Sequence, residues 1–360
     1  MTTTTALGAA AATELPLEMR ALRLHEWGTA PTLDRVPVPR PGPGQVLLRV
    51  DAAGLCHSDL HIMDAAPGVL PYELPFTLGH EVVGTVVEVG DAADAGWLGT
   101  SCGVHGVWSC GTCRKCLAGR DNYCVTLTGP IGCGTGRDGG LADYMLVPSV
   151  RHLVEVDGSA GPAVAPLTDA ALTAYHAVQS QPVDPAGSIV VVIGIGGLGH
   201  LAVQLLAARE PAVLVGVDPR ESARELALRL GADHAVDSVD AATALVAELS
   251  GDTGADLVMD FVGAAPTLDG ASGLMATGAT LVVVGSAGGH LTVDKQGSLP
   301  RGWRVEAPFW GPHRHLQDVV DLAATGALSA VVETRGLDEV LDAYEDLRHG
   351  RAAGRVVVVP

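Results

Sequence analysis

The sequence predicts an α/β protein in two parts, a β-rich first region followed by a doubly wound parallel sheet. Three observations carry this. Residues 19–150 are rich in Val, Gly and Pro in short alternating runs, the pattern of strands bounded by turn residues. From about residue 170, strand-like and helix-like segments alternate, which indicates βαβ units and a parallel sheet. Gly194, Gly196 and Gly199 form G-x-G-x-x-G at the junction of an apolar run and a helical pattern, the turn on which such sheets bind dinucleotides.

The elements follow in order. Residues 1–18, opening M-T-T-T-T-A-L-G-A-A-A-A, read as a disordered extension. They lack the basic n-region and cleavage pattern of a secretory signal. Q-V-L-L-R-V (45–50) and V-V-G-T-V-V-E-V-G (82–90) read as strands. Later come a strand over Ile189–Ile193, a helix over Leu198–Arg209, a strand over Val213–Asp218 and a helix over Glu221–Leu230. Leu257–Phe261 and Thr280–Val284 continue the series. The final segment, ending R-V-V-V-V-P, is a candidate to rejoin the first region.

Composition narrows the function. The 360 residues suit two domains, and 48% hydrophobic content is ample for two cores. A net charge of −19 argues against nucleic acid or an anionic membrane as partner. The longest apolar stretches, Ser188–Ile195 and Thr280–Gly285, fall short of the ~18 residues of a membrane span. A cytoplasmic protein is expected, and seven cysteines, four of them clustered, fit a reducing compartment.

The clustered four are Cys110, Cys113, Cys116 and Cys124 in C-G-T-C-R-K-C-L-A-G-R-D-N-Y-C. Four thiolates this close in sequence can surround one tetrahedral ion, and zinc is the usual occupant. Disulfides and an iron–sulfur cluster are the alternatives. The ferredoxin run has a three-residue last spacing followed by Pro, and this run has neither. Cys102 reads as strand packing and Cys133 as a free thiol in a Gly-rich loop.

In the glycine motif, Gly194 permits the turn, Gly196 lets backbone approach a pyrophosphate and Gly199 allows helix to pack on sheet. Ile195, Gly197 and Leu198 complete the turn, and the helix N-terminus supplies free N–H groups. Asp218 ends the next strand, 24 positions after Gly194. It is either a ribose-binding carboxylate, which favours NAD over NADP, or a strand-end turn residue. Arg220 complicates the choice, because a nearby Arg can pair with a 2′-phosphate.

Cys56 opens C-H-S-D-L-H, and His80 and Glu81 lie in G-H-E. A thiolate and an imidazole are two of the three protein ligands of a catalytic zinc. Here the chain resembles the zinc-dependent medium-chain alcohol dehydrogenases, over about residues 20–360. The resemblance rests on G-L-C-H-S-D-L-H, T-L-G-H-E-V-V-G, the four-Cys run and V-I-G-I-G-G-L-G. The A-P-L-T-D-A segment is similar to bacterial NAD-dependent secondary-alcohol dehydrogenases that also reduce ketones.

The resemblance implies a GroES-like catalytic domain over 19–170 and 309–360 and a Rossmann domain over 171–308. It implies two zinc ions, NAD, and a homodimer or homotetramer. Cys56 and His80 match two catalytic zinc ligands. Asp169 matches the third, often Cys in the family, with Glu81 as the alternative. Asp59 matches the carboxylate that orients the ligand His, and Ser58 the hydroxyl that meets the alcohol. His61 matches a proton-relay histidine or is simply an exposed helix residue. His57 is placed at the pyrophosphate and Thr173 behind the nicotinamide. Trp310 matches a pocket aromatic or is interdomain core, with Trp108 and Leu141 as weaker pocket candidates. Thr100 stands where the family usually has Asp, which puts the local loop in doubt. The implied reaction is hydride transfer between NAD(H) and an alcohol/carbonyl pair. Secondary alcohols and ketones are favoured, with primary alcohols and aldehydes as the alternative and a non-catalytic binding protein as the remote one.

Overall fold

The structure is a computed structural model that describes residues 15–156, 161–181, 187–292, 301–352 and 354–360. Residues 1–14, most of the expected N-terminal extension, lie outside the described residues.

Apolar alternation organises the first region. The strand Val46–Gly54 buries nearly every second residue and more, and it becomes the hub of a seven-stranded sheet. Glu81–Val89, Tyr144–Val147 and Arg355–Val359 all pair with it antiparallel. Ser101–Val104 and Leu153–Glu155 extend one side, and Val332–Gly336 the other. The last strand of the chain thus sits beside one of the first, with Val357 opposite Gly54. Leu48, Leu55, Leu78, Val82, Leu141 and Met145 fill the core beneath, each at 1% exposure or less. Each such side chain contributes about 1.5–3 kcal/mol by leaving water.

The second region is a six-stranded, all-parallel sheet. Its order is His234–Val236, Val213–Val217, Ile189–Ile193, Ala255–Asp260, Met275–Val283 and Arg304–Glu306. All five residues of Ile189–Ile193 are buried, as a strand covered on both faces requires. The order reverses between Ile189–Ile193 and Ala255–Asp260, and ligands of such sheets bind beyond the strand ends at that switch point. The helices Gly199–Ala207, Glu221–Arg229, Val239–Ser250 and Ala265–Leu274 cover the faces. The strands His234–Val236 and Arg304–Glu306, at three residues each, are too short for periodicity to reveal.

One apolar cluster joins the two regions. Leu172 and Ala174 of helix Ala170–Gln179 pack with Leu201 and Leu206, with Leu316 of helix His313–Ala324, and with Val357. No described helix is long and apolar enough to cross a membrane.

Candidate active site

The metal-ligating residues are set out by local backbone chemistry. Gly79 has φ +95°, and a Cβ there would lie 2.8 Å from the backbone nitrogen of Leu141, so only glycine makes the turn that delivers His80. Cys56 caps the helix His57–Met63. Its N–H donates to Asp59 Oδ2 at 3.0 Å, and Asp59 Oδ1 lies 2.9 Å from His80 Nδ1. One fully buried carboxylate therefore fixes both the Cys56 backbone and the His80 ring. It directs Nε2 of the imidazole away from itself.

Asp169 arrives from a different segment. The 3₁₀ turn Gly161–Thr168 is pinned to the strand Glu81–Val89 by Thr168, whose hydroxyl accepts from Val82 N–H at 3.1 Å. Asp169 then caps helix Ala170–Gln179, and Thr173 Oγ1 donates to its Oδ1 at 3.2 Å. Its Oδ2 comes within 3.5 Å of His80 Nε2 and 3.9 Å of Cys56 Sγ. Donors around one tetrahedral zinc at ordinary bond lengths would be about 3.4 and 3.6 Å apart for these pairs. Cys56, His80, Glu81 and Asp169 each offer a ligand atom within 4.8 Å of the others, and all four are buried. The donor set fits a divalent cation.

The electrostatics agree. Burial opposes charge on every member, yet the carboxylates of Asp59 and Asp169 hold the His80 imidazole well above its usual value. Burial works against ionisation of Asp169, but His80 and Arg355 outweigh it and keep the carboxyl low. Glu81 is pushed well up, by burial first and then by Asp169 and Cys56, against the pull of Arg355. The Arg355 guanidinium bonds Glu81 Oε1, whereas the buried Oε2 has no hydrogen-bond partner among the described residues.

Arg355 lies in this cluster and was not singled out from the sequence. It is 3% exposed. It heads the strand Arg355–Val359, and its side chain abuts both Glu81 and Gly197 of the glycine-rich turn. It therefore connects the metal cluster to the nucleotide turn. The available signal was a single charge opening an otherwise wholly apolar strand.

The turn itself has the form expected of a dinucleotide site. A Cβ on Gly199 would lie 1.8 Å from the carbonyl oxygen of Gly194, while one on Gly196 would meet nothing within 4 Å. Helix and strand thus touch at Gly199, and the backbone is open at Gly196. Ile195 N–H donates to Asp218 Oδ2 at 3.0 Å, and Leu198 caps helix Gly199–Ala207. These residues fit a bound dinucleotide.

The other predicted residues divide. Ser58 is exposed, with Oγ 3.6 Å from Cys56 Sγ. His57 and His61 are exposed on the same helix, and His61 Nδ1 lies 3.5 Å from Ser286 Oγ of the parallel-sheet region. Trp310 is 8% exposed, has φ +48°, and stands edge-on to His80 at a centroid distance of 5.6 Å. It is both part of the joining core and a wall of the metal site. Trp108 is half-buried against the first-region core, and its indole N–H has no hydrogen-bond partner among the described residues. Leu141 is a correction. It is fully buried beneath Gly79, so it is core rather than pocket.

The four-Cys lobe is a second donor set. The Sγ separations are 3.9 Å for Cys110–Cys116, 3.5 Å for Cys113–Cys116 and 3.9 Å for Cys113–Cys124. Four sulfurs at ~2.3 Å from a common zinc would lie about 3.8 Å apart, and a disulfide would need about 2.05 Å. Backbone N–H groups of Thr112 and Cys113 donate to Cys110 Sγ at 3.4 and 3.3 Å, which favours thiolate. Hydrogen bonds from Thr126, Thr112 and Cys113 bring the Cys110 thiol down to about 5. Cys102 and Cys133, by contrast, are pushed up to about 12 by burial and are inert core thiols. The lobe also grips the segment that carries Trp310. Asn122 donates to the Phe309 carbonyl at 2.8 Å, and Asp121 accepts from His313 N–H at 3.1 Å.

Comparison with known proteins agrees with this arrangement. Residues 42–158 match the alcohol dehydrogenase GroES-like domain, and residues 197–325 the zinc-binding dehydrogenase family. An NAD-dependent alcohol dehydrogenase of Sulfolobus acidocaldarius is 33% identical, across 94% of this chain and 99% of the relative. The crystal structure of the alcohol dehydrogenase from Aeropyrum pernix superposes with a TM-score of 0.88 at 36% identity, covering 95% of this chain and all of that one. Acetophenone reductase from Geotrichum candidum, solved with NAD, gives 0.86 at 34% identity over 97% of this chain and 99% of its own. A GroES-like domain and a Rossmann-type sheet, with a metal cluster where they meet, define a nucleotide-linked metallo-oxidoreductase. The chain belongs to the zinc-dependent medium-chain alcohol dehydrogenases.

Proposed function

We propose that this protein transfers hydride between NAD(H) and an alcohol/carbonyl pair, acting on secondary alcohols and ketones with apolar or aryl substituents. The observation that carries it is the convergence of Cys56, His80 and Asp169 at the separations of one tetrahedral ion, joined through Arg355 to the nucleotide turn. Cys56, His80 and Asp169 hold one zinc, and Cys110, Cys113, Cys116 and Cys124 hold a second. Gly194–Gly199 and Asp218 hold NAD. When bound, the first zinc supplies Lewis acidity to the substrate oxygen and the nicotinamide supplies the hydride acceptor.

The chain's own residues do the rest. Asp59 holds the His80 ring and the Cys56 backbone, so the metal donors are in place before substrate enters. Asp169 Oδ2, near both His80 Nε2 and Cys56 Sγ, is the third donor, and Glu81, held by Arg355 through Oε1 with Oε2 unpartnered among the described residues, is the alternative. Ser58, beside Cys56, would accept the proton of the substrate hydroxyl as it gives up its own, and that proton would reach His61, exposed on the same helix, through the nucleotide ribose and pass from there to solvent. His57 approaches the pyrophosphate. Thr173 backs the nicotinamide from a position in which its hydroxyl steadies Asp169. Trp310 and Phe309, 5.9 Å apart at 72°, give an aromatic wall, with Trp108 further out. That wall, and the 34% identity to an acetophenone reductase, support apolar ketones. The catalytic domain comprises 19–170 and 309–360 and the nucleotide domain 171–308. The working form is a cytoplasmic homodimer or homotetramer.

The test is turnover of 1-phenylethanol and propan-2-ol beside benzyl alcohol and ethanol with NAD. Faster turnover of the secondary alcohols is expected. A preference for the primary alcohols would keep the hydride chemistry and refute the substrate reading.

A further inference from the structure

The last helix of the chain, Val340–Arg348, packs against the helix His57–Met63 that follows Cys56. Tyr344 and Leu347 share one apolar cluster with Leu60 and Met63. At the surface the two helices are clamped, because Arg348 Nη1 and Nη2 donate to Asp64 Oδ2 and Oδ1 at 2.6 and 2.9 Å. Tyr344 stands one turn before Arg348, on the same face of its helix. It reaches inward where Arg348 reaches outward.

Tyr344 is 3% exposed, and its buried phenol oxygen has no hydrogen-bond partner among the described residues. A buried hydroxyl left unpaired is costly, and phenylalanine would fill the same space without that cost. The acceptor it faces is Asp59. Burial first, and then the Asp59 carboxylate, hold the phenol well above its usual value, with Cys56 and Glu81 adding to the effect. The group is therefore a neutral O–H donor beside a carboxylate. Asp59 has room for it. A carboxylate offers about four acceptor positions, of which Oδ2 gives one to the Cys56 N–H and Oδ1 one to the His80 ring. Glu81 Oε2, another buried acceptor without a partner among the described residues, is turned toward the strand Val46–Gly54, where a Cβ on Gly54 would lie 2.0 Å from it.

We propose that Tyr344 is a positioning residue of the metal site, its hydroxyl serving as a third donor to Asp59 and holding that carboxylate in the orientation that sets Cys56 and His80. The proposal rests on the reading of Cys56 and His80 as ligands of the first zinc. Tyr344 touches neither ion nor substrate; it acts through Asp59. A helix from the end of the chain thereby steadies donors that come from its first region.

The experiment is zinc content of the full-length protein after equilibration against graded chelator, with melting curves in parallel, for Tyr344→Phe, Asp59→Asn and the double variant. Phenylalanine keeps the ring and its packing and removes only the hydroxyl. Tyr344→Phe should lose the first zinc at about fivefold lower chelator strength than wild type, less than the roughly 10–100-fold that follows loss of a ligand's direct partner. The four-Cys equivalent should persist. In the Asp59→Asn background the same change should have no further effect, because members of one network do not act additively. Wild-type zinc retention in Tyr344→Phe, with an equal or higher melting temperature, would show a hydroxyl that serves nothing and would overturn the proposal. A loss repeated in full on top of Asp59→Asn would show that the effect does not pass through Asp59, and would overturn it equally. Wild-type protein that holds only the four-Cys equivalent overturns the zinc reading and the proposal with it.

Discussion

Asp169→Asn probes the metal centre with the least change of shape. The substitution keeps an oxygen near Cys56 and His80 but removes the negative charge, and an amide nitrogen placed toward His80 Nε2 cannot ligate. Asp169 Oδ2 lies 3.5 Å from that nitrogen and 3.9 Å from Cys56 Sγ, close to the separations of donors that share one ion. Glu81 has Oε1 tied to Arg355 and Oε2 without a hydrogen-bond partner among the described residues, so it is the rival donor. Loss of an outer partner of a ligand typically costs 10–100-fold in metal affinity, so loss of the ligand's own charge should cost about 100-fold, roughly 2.7 kcal/mol. The assay is zinc content after equilibration against graded chelator, with ADP-ribose binding measured in parallel. One zinc equivalent should leave the variant at about 100-fold lower chelator strength, while the four-Cys equivalent and nucleotide binding persist. Wild-type zinc retention in Asp169→Asn, together with loss in Glu81→Gln, would refute the assignment and make Glu81 the third donor.

Four further outcomes are expected. Cys113→Ser should lower the melting temperature by about 10 °C and, because Asn122 and Asp121 grip the Phe309–His313 segment, should raise KM for bulky ketones; an unchanged melting curve with full zinc content contradicts a structural metal there. Asp59→Asn should weaken retention of the first zinc by about 10–100-fold, since the new amide can satisfy only one of the Cys56 N–H and His80 Nδ1 contacts. Gly199→Ala places a Cβ 1.8 Å from the Gly194 carbonyl oxygen; it should destabilise the fold by about 1–3 kcal/mol and weaken ADP-ribose binding, and a silent substitution would show that helix and strand do not touch there. Burial lowers His152 to about 3 and His176 and His200 to about 4, from the usual 6.5. Because these folded-state values lie below the unfolded one, protons favour the unfolded chain. Stability from these groups is complete above about pH 6.5 and declines as pH falls toward about 4 for His176 and His200 and about 3 for His152; a urea midpoint that stays flat across that window would contradict it.

Legibility in the sequence followed the range of the interaction. The glycine-rich turn, the strand Ile189–Ile193 and the four-Cys run are local, and each was readable because its parts lie within fifteen or so positions of one another. Asp169 was found only through resemblance, since nothing near it in sequence says that Thr168 will dock on Val82 and bring the carboxylate to His80. Arg355 was missed altogether, because its partner Glu81 is 274 positions away and a buried ion pair leaves no periodic trace. Leu141 was misplaced for the opposite reason: an apolar side chain is as consistent with core as with a pocket, and only the packing beneath Gly79 decides. Arg220 was visible as a complication, but its three hydrogen bonds to Asp218, beside the one from Ile195 N–H, required coordinates.

The most direct test of the central claim is the fate of the carbinol hydrogen. With propan-2-ol deuterated at carbon 2 and NAD, reduced nicotinamide carrying one deuterium should form. That formation should fall away when Asp169→Asn has lost its zinc and ADP-ribose still binds. Reduced nicotinamide that forms equally well without that zinc, or none at all in fully zinc-loaded wild-type protein, would contradict it.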